Sequence, residues 1–151
     1  MQRWTKYIIR GVAVACLFAL PLWAQTPLLD SVTTHDVKDG MEIRIRFTAP
    51  VRYLRHFPAR QGELLQIYFQ VTALDGQDLS AREEVRRVRA KHGLPGFTVS
   101  YVPPLSRDAT REPLSVLLQF DRPLTYQVHE GRDKRSLYVR VPVVSAEPNN
   151  R

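Results

Sequence analysis

The sequence predicts an all-β fold: a duplicated antiparallel β-sandwich of about eight strands with one short connector helix. Three observations lead there. Apolar and polar residues alternate through most of the chain, as in Met41-Glu42-Ile43-Arg44-Ile45-Arg46-Phe47 and Leu65-Gln66-Ile67-Tyr68-Phe69. That period of two marks a strand with one face on a core and the other in water. Turn residues such as Asp39-Gly40 and Pro103-Pro104 interrupt the runs at short intervals, as they do in all-β domains. A Phe-x-x-Pro-aliphatic-x-Tyr motif also occurs twice, at Phe47, Pro50, Tyr53 and at Phe120, Pro123, Tyr126. Each copy sits between two alternating runs in the same order, the mark of a repeated structural unit.

The chain opens with Arg3, Lys6 and Arg10, no acid, an apolar run over 11–22 and a small residue at Ala24. A basic start, a short apolar run and a small residue at the cut read as a secretory signal peptide over 1–24. The run is shorter than the roughly 20 residues of a membrane span. An uncleaved anchor, or acylation at Cys16, is the weaker alternative. Cys16 is the only cysteine, so a chain cut after Ala24 has no disulfide and must rely on its core. Losing three cations takes the formal charge from +7 to +4. The predicted address is periplasmic, where a basic domain meets anionic glycans, stem carboxylates and lipid phosphates rather than nucleic acid.

Residues 25–144 are then one sandwich domain built from two repeats, 29–72 and 97–142. A first strand begins at Leu29 and ends before Lys38-Asp39-Gly40, where Asp-Gly signals a hairpin. The next is Met41–Phe47. After Pro50, which suits a strand start or an edge, the alternation resumes with Val51, Tyr53, Arg55 and Phe57 on one face. Leu65, Ile67, Phe69 and Val71 form the following apolar face. Between the repeats, Ser80 with Glu83 reads as a capping box and His92-Gly93 as a C-cap, predicting the connector helix over 80–91. Phe97–Val102, Leu114–Phe120, Leu124–Val128 and Leu137–Val141 complete the second unit, and 145–151 is a polar tail.

An alternating strand, Phe-x-x-Pro, an aromatic and a second apolar strand resemble the AMIN domain, over Val32–Val71 and more faintly over Phe97–Val141. The resemblance implies a small periplasmic β-domain of the kind found in cell-wall amidases and type IV pilus secretins. It also implies a non-catalytic targeting role toward peptidoglycan or envelope machinery.

A search for chemistry finds no active site. His35, His56, His92 and His129 lack metal-ligand spacing, and His35-Asp36 and His129-Glu130 point to opposite faces of a strand. No Gly-x-Ser-x-Gly elbow or phosphate loop occurs. Asp75, Gly76 and Asp78 fit a plain turn better than a calcium loop. No metal or cofactor is expected. The basic residues are the better lead. Arg82, Arg86, Arg87, Arg89 and Lys91 crowd the expected helix, while Arg44 and Arg46 stand on the wet face of one strand near Arg52. If the helix lies beside that face, these groups form one anion-binding patch, since arginine's planar fork suits carboxylate and phosphate. Tyr53 and Tyr126 read as core tyrosines. The expectation is an exported module binding peptidoglycan or another anionic glycan. A scaffold for an envelope or secretion complex, working through exposed strand edges, is the alternative.

Overall fold

The computed structural model describes residues 26–73, 82–103 and 113–142. The leader, Cys16, Asp75-Gly76-Asp78, Ser80 and the tail 145–151 lie outside them. Nine strands form two antiparallel sheets: β1 (Leu29–Val37), β2 (Gly40–Phe47), β3 (Val51–Phe57), β4 (Gln61–Val71), β5 (Glu84–Val88), β6 (Phe97–Tyr101), β7 (Leu114–Thr125), β8 (Gln127–Glu130) and β9 (Ser136–Pro142). One sheet has the order β1-β2-β9-β8 and the other β3-β4-β7-β6-β5. Their inner faces meet in a single core. Met41, Ile43, Ile45, Phe47, Leu137 and Val139 come from the four-stranded sheet, and Leu65, Ile67, Phe69, Val99, Val116, Leu118 and Phe120 from the five-stranded one. Each fully buried side chain of this kind contributes roughly 1.5–3 kcal/mol.

The repeated motif marks the two places where the chain changes sheet. After Phe47 the chain leaves the four-stranded sheet for β3 of the other, and after Phe120 and Pro123 it crosses back to β8. Each crossing is followed by a hairpin, β3–β4 and β8–β9. The phenylalanines anchor the corners: Phe47 lies 4.7 Å from Phe69 between ring centroids, and Phe120 lies 5.8 Å from Phe97. Tyr126 is fully buried, and its hydroxyl donates to Pro58 O at 3.3 Å. Tyr53 is only half-buried, and its hydroxyl lies in hydrogen-bond contact with His56 Nδ1 at 2.6 Å.

Matching β1 to β6, β2 to β7, β3 to β8 and β4 to β9 turns the order β1-β2-β9-β8 into β6-β7-β4-β3, which is the second sheet without β5. The two units exchange strands: β2 pairs with β9, and β7 with β4. Neither unit carries a complete sheet of its own.

The connector helix is not there. No helix occurs among the described residues, and Glu84–Val88 is instead strand β5, antiparallel to β6. The reason is tertiary. Strand geometry turns Glu84, Arg86 and Val88 toward the sandwich, and the Glu84 carboxylate accepts the amide N–H groups of Leu28 (2.5 Å) and Leu29 (2.9 Å). Two charge-assisted bonds in a buried setting override the good helix propensity of an Arg- and Glu-rich run, which is only a weak prior against tertiary contacts. His92 and Gly93 do adopt positive φ (47° and 84°), yet they form the tight turn that returns the chain toward β6, with Lys91 and Leu94 exchanging both backbone bonds. A second correction concerns β3. A bulge between Tyr53 and Arg55 shifts the register, so Arg55 pairs with Tyr68, His56 with Ile67 and Phe57 with Gln66. His56 therefore faces inward, while Arg55 and Phe57 face outward.

Candidate functional site

The predicted basic residues do not make one patch. Arg44 and Arg46 stand on the outer face of the four-stranded sheet. Arg87 is on the outer face of the other sheet, across the sandwich, because it pairs with outward Thr98. Arg86 points into the seam between the sheets, where it donates to Leu29 O at 3.4 Å and lies 3.9 Å from Glu84. Arg82, Arg89 and Lys91 are exposed around the ends of β5.

The two outer faces differ in how their charges are used. On the four-stranded sheet the arginines are matched to acids: Arg44 to Asp133 at 2.8 Å, Arg46 to Asp30 at 3.2 Å and Arg140 to Asp39 at 3.7 Å, and the His129 ring lies 3.8 Å from Glu42. The Arg44 guanidinium also stands over the Tyr138 ring, against which His129 stacks at 5.2 Å. Burial pushes the Asp133 carboxyl up. The hydroxyl of Ser136, the amide of Arg135 and the guanidinium and charge of Arg44 outweigh that and hold it at about 2. A face that answers its own charges has little left for a ligand.

The outer face of the five-stranded sheet is built otherwise. The paired registers place Arg52, Arg55 and Phe57 of β3 there, with Leu64, Gln66, Tyr68 and Gln70 of β4. Ser115, Leu117 and Gln119 of β7, Thr98 and Ser100 of β6, and Val85 and Arg87 of β5 continue the surface. Glu63 and Asp121 stand near the start of β4 and the end of β7, and exposed Glu83 precedes β5 at the other end. Arg52 donates only to the neutral amide of Gln70 (2.7 Å), and the Arg55 guanidinium lies over the Tyr68 ring at 4.7 Å. Among the described residues neither forms an ion pair. Phe57 is 71% exposed and Leu64 50%. They line a shallow groove of about 480 Å³ with Pro58, Gly62, Glu63, Gln66 and Leu117. Amides, hydroxyls, exposed aromatic rings and unanswered guanidinium groups in one plane can bind a polar polymer by hydrogen bonding, ring stacking and charge.

Sequence reasoning missed Arg55 and Phe57 because it carried the alternation straight through β3. Arg55 interrupting an otherwise apolar face was the available sign of a bulge.

The histidines stay apart. His35 and His129 lie on opposite edge strands of one sheet with β2 and β9 between them, about 14 Å at three strand spacings. His35 meets Thr33 at 3.1 Å, and His92 meets Asp36 at 3.2 Å. His56 donates from Nε2 to Ala59 O (2.9 Å) and meets the Tyr53 hydroxyl through Nδ1 (2.6 Å). Among the described residues no group of three or more His, Cys, Asp or Glu is placed to hold a metal ion. No described helix is long and apolar enough to cross a membrane. The chain has no significant match among family models, curated proteins or solved structures.

Proposed function

We propose that this protein is a non-catalytic module of the cell envelope that binds peptidoglycan or another anionic glycan across the outer face of its five-stranded sheet. The observation that carries this reading is the contrast between the two outer faces: Arg44, Arg46 and Arg140 are matched to aspartates, while Arg52 and Arg55 stand beside amides and rings only. Sugar hydroxyls suit Gln66, Gln70, Gln119, Ser100 and Ser115. Carboxylates on the polymer suit the guanidinium groups, by charge-assisted and often bidentate bonds. The leader-like N-terminus and the AMIN resemblance agree with an exported protein that meets such a polymer.

The test is co-sedimentation with purified peptidoglycan sacculi at low and high salt. The expected result is salt-sensitive pelleting, weakened when Arg52, Arg55 and Arg87 are changed together to Ala and retained when Arg44 and Arg46 are changed. No pelleting at low salt defeats the proposal.

A second reading is a scaffold that captures a partner's strand. Strand β1 favours it: it is an edge strand, and from Ser31 to Val37 its register is unbroken and contains no Pro, Lys or Arg. Proline at Thr34 then abolishes capture of a protein partner and leaves sacculus binding alone.

A further inference from the structure

The groove on the five-stranded sheet narrows the ligand further, on the premise that the protein binds a glycan there. Its walls are Phe57, Pro58, Leu64 and Leu117, and its polar groups come from Gln66 and Glu63. Gln66 gives a hydrogen from Nε2 to Ser115 Oγ at 3.1 Å, which fixes the amide plane and leaves the Oε1 acceptor uncommitted. Phe57 owes its outward position to the bulge in β3 between Tyr53 and Arg55, and Leu64 is outward by alternation with buried Leu65, just after a register shift between Gly62 and Leu64. Bulges re-aim side chains where a surface needs them. A volume of about 480 Å³ is of the size that receives a small ligand group, and the shallow shape suits a ring laid on the sheet.

We infer that this groove is a subsite for the acetamido group of an N-acetylated amino sugar. An acetamido group presents one N–H, one carbonyl and one methyl. Gln66 complements the amide, and Leu64 and Leu117 receive the methyl. Phe57 stacks on the apolar face of the pyranose, and Glu63 accepts from ring hydroxyls. A purely hydroxylated sugar has no methyl for these walls. An acyl chain has no use for the amide and carboxylate at their rim. Arg55 lies two residues from Phe57 on the same side of β3, roughly 7 Å away by strand geometry and within reach of a carboxylate borne by the next sugar. The ligand class is thus a glycan in which N-acetylated sugars neighbour carboxylate-bearing ones.

The test uses two neutral probes on the purified protein, by calorimetric titration: a β-1,4-linked hexamer of N-acetylglucosamine and the corresponding hexamer of glucose. The expected result is about tenfold tighter binding of the N-acetylated hexamer, lost in Phe57→Ala and in Leu64→Ala. Both side chains are exposed, so neither change threatens folding. Arg46→Ala, on the opposite outer face, leaves the affinity for the neutral hexamer within about twofold, and Arg55→Ala weakens sacculus binding. Equal affinity for the two hexamers, or a preference that survives Phe57→Ala and Leu64→Ala, overturns the subsite. Sacculus binding that neither hexamer competes for overturns the subsite while the wider glycan reading stands. Absence of sacculus binding defeats the wider reading, and the hexamer titrations still decide the subsite.

Discussion

Tyr101 shows how a single buried oxygen trades against packing. Its ring is fully buried, and its hydroxyl is the buried side-chain polar atom without a partner among the described residues. Burial, and then the nearby Glu84 charge, push its pKa up to about 12. An orphaned hydroxyl costs free energy that its removal returns. Tyr101→Phe is therefore expected to raise stability by up to about 1 kcal/mol, read from urea midpoints; a loss of that size contradicts the assignment. Asp133 gives the pH dependence. Its folded pKa of about 2 lies below the ordinary 3.8, so its stabilising contribution is complete above 3.8 and disappears as pH falls through that window to about 2. Asp133→Asn should flatten the urea midpoint across that interval, whereas an unchanged acid limb would place the dependence elsewhere.

Strand β5 and the β1–β2 hairpin carry the predictions at the scale of elements. Glu84 ties β5 to the start of β1 by two buried bonds, so Glu84→Ala leaves two amide donors unanswered. A loss of about 2–4 kcal/mol is expected, with hydrogen exchange rising first at Leu28, Leu29 and β5; unchanged protection there would refute the tie. Gly40 has φ of 153°, and an added methyl would run into the Val141 carbonyl and Pro142 of β9. Gly40→Ala is accordingly expected to destabilise by about 2 kcal/mol or more, measured by thermal melting, and a neutral effect would be wrong for this packing.

These elements also show what was legible in the sequence. Strands β2, β4, β6, β7 and β9 could be read because their inner faces are strictly apolar, and the corners because the Phe-x-x-Pro-aliphatic-x-Tyr motif repeats. Gly40 was legible from the Asp-Gly hairpin signal, and the β1–β2 hairpin and the glycine's positive φ are there; the close approach of β9 was not, because it is a contact from the far end of the chain. Strand β5 was hidden. Its inner face is Glu84, Arg86 and Val88, a pattern that becomes apolar enough only once Leu28 and Leu29 supply donors. The candidate site was hidden by the same kind of cause, a bulge that turns Phe57 outward without any local signal stronger than Arg55.

For the whole molecule, the exchange of strands between units has a thermodynamic consequence. With β2 paired to β9 and β7 to β4, each half completes the other's sheet, so unfolding should be one cooperative event. Residues 26–73 and 97–142 expressed separately are expected to be unfolded by circular dichroism and to regain strand signal on mixing; a half that folds alone would show that the exchange is not required. The same arrangement presents two outer faces of unlike chemistry, and the central claim is that only one of them binds. The most direct measurement is titration of isotope-labelled protein with soluble glycan fragments released from sacculi, followed residue by residue by NMR. The account predicts shifts concentrated at Arg52, Arg55, Phe57, Gln66, Tyr68 and Gln119. Shifts centred on Arg44, Arg46, His129 and Tyr138, or along β1, would contradict it.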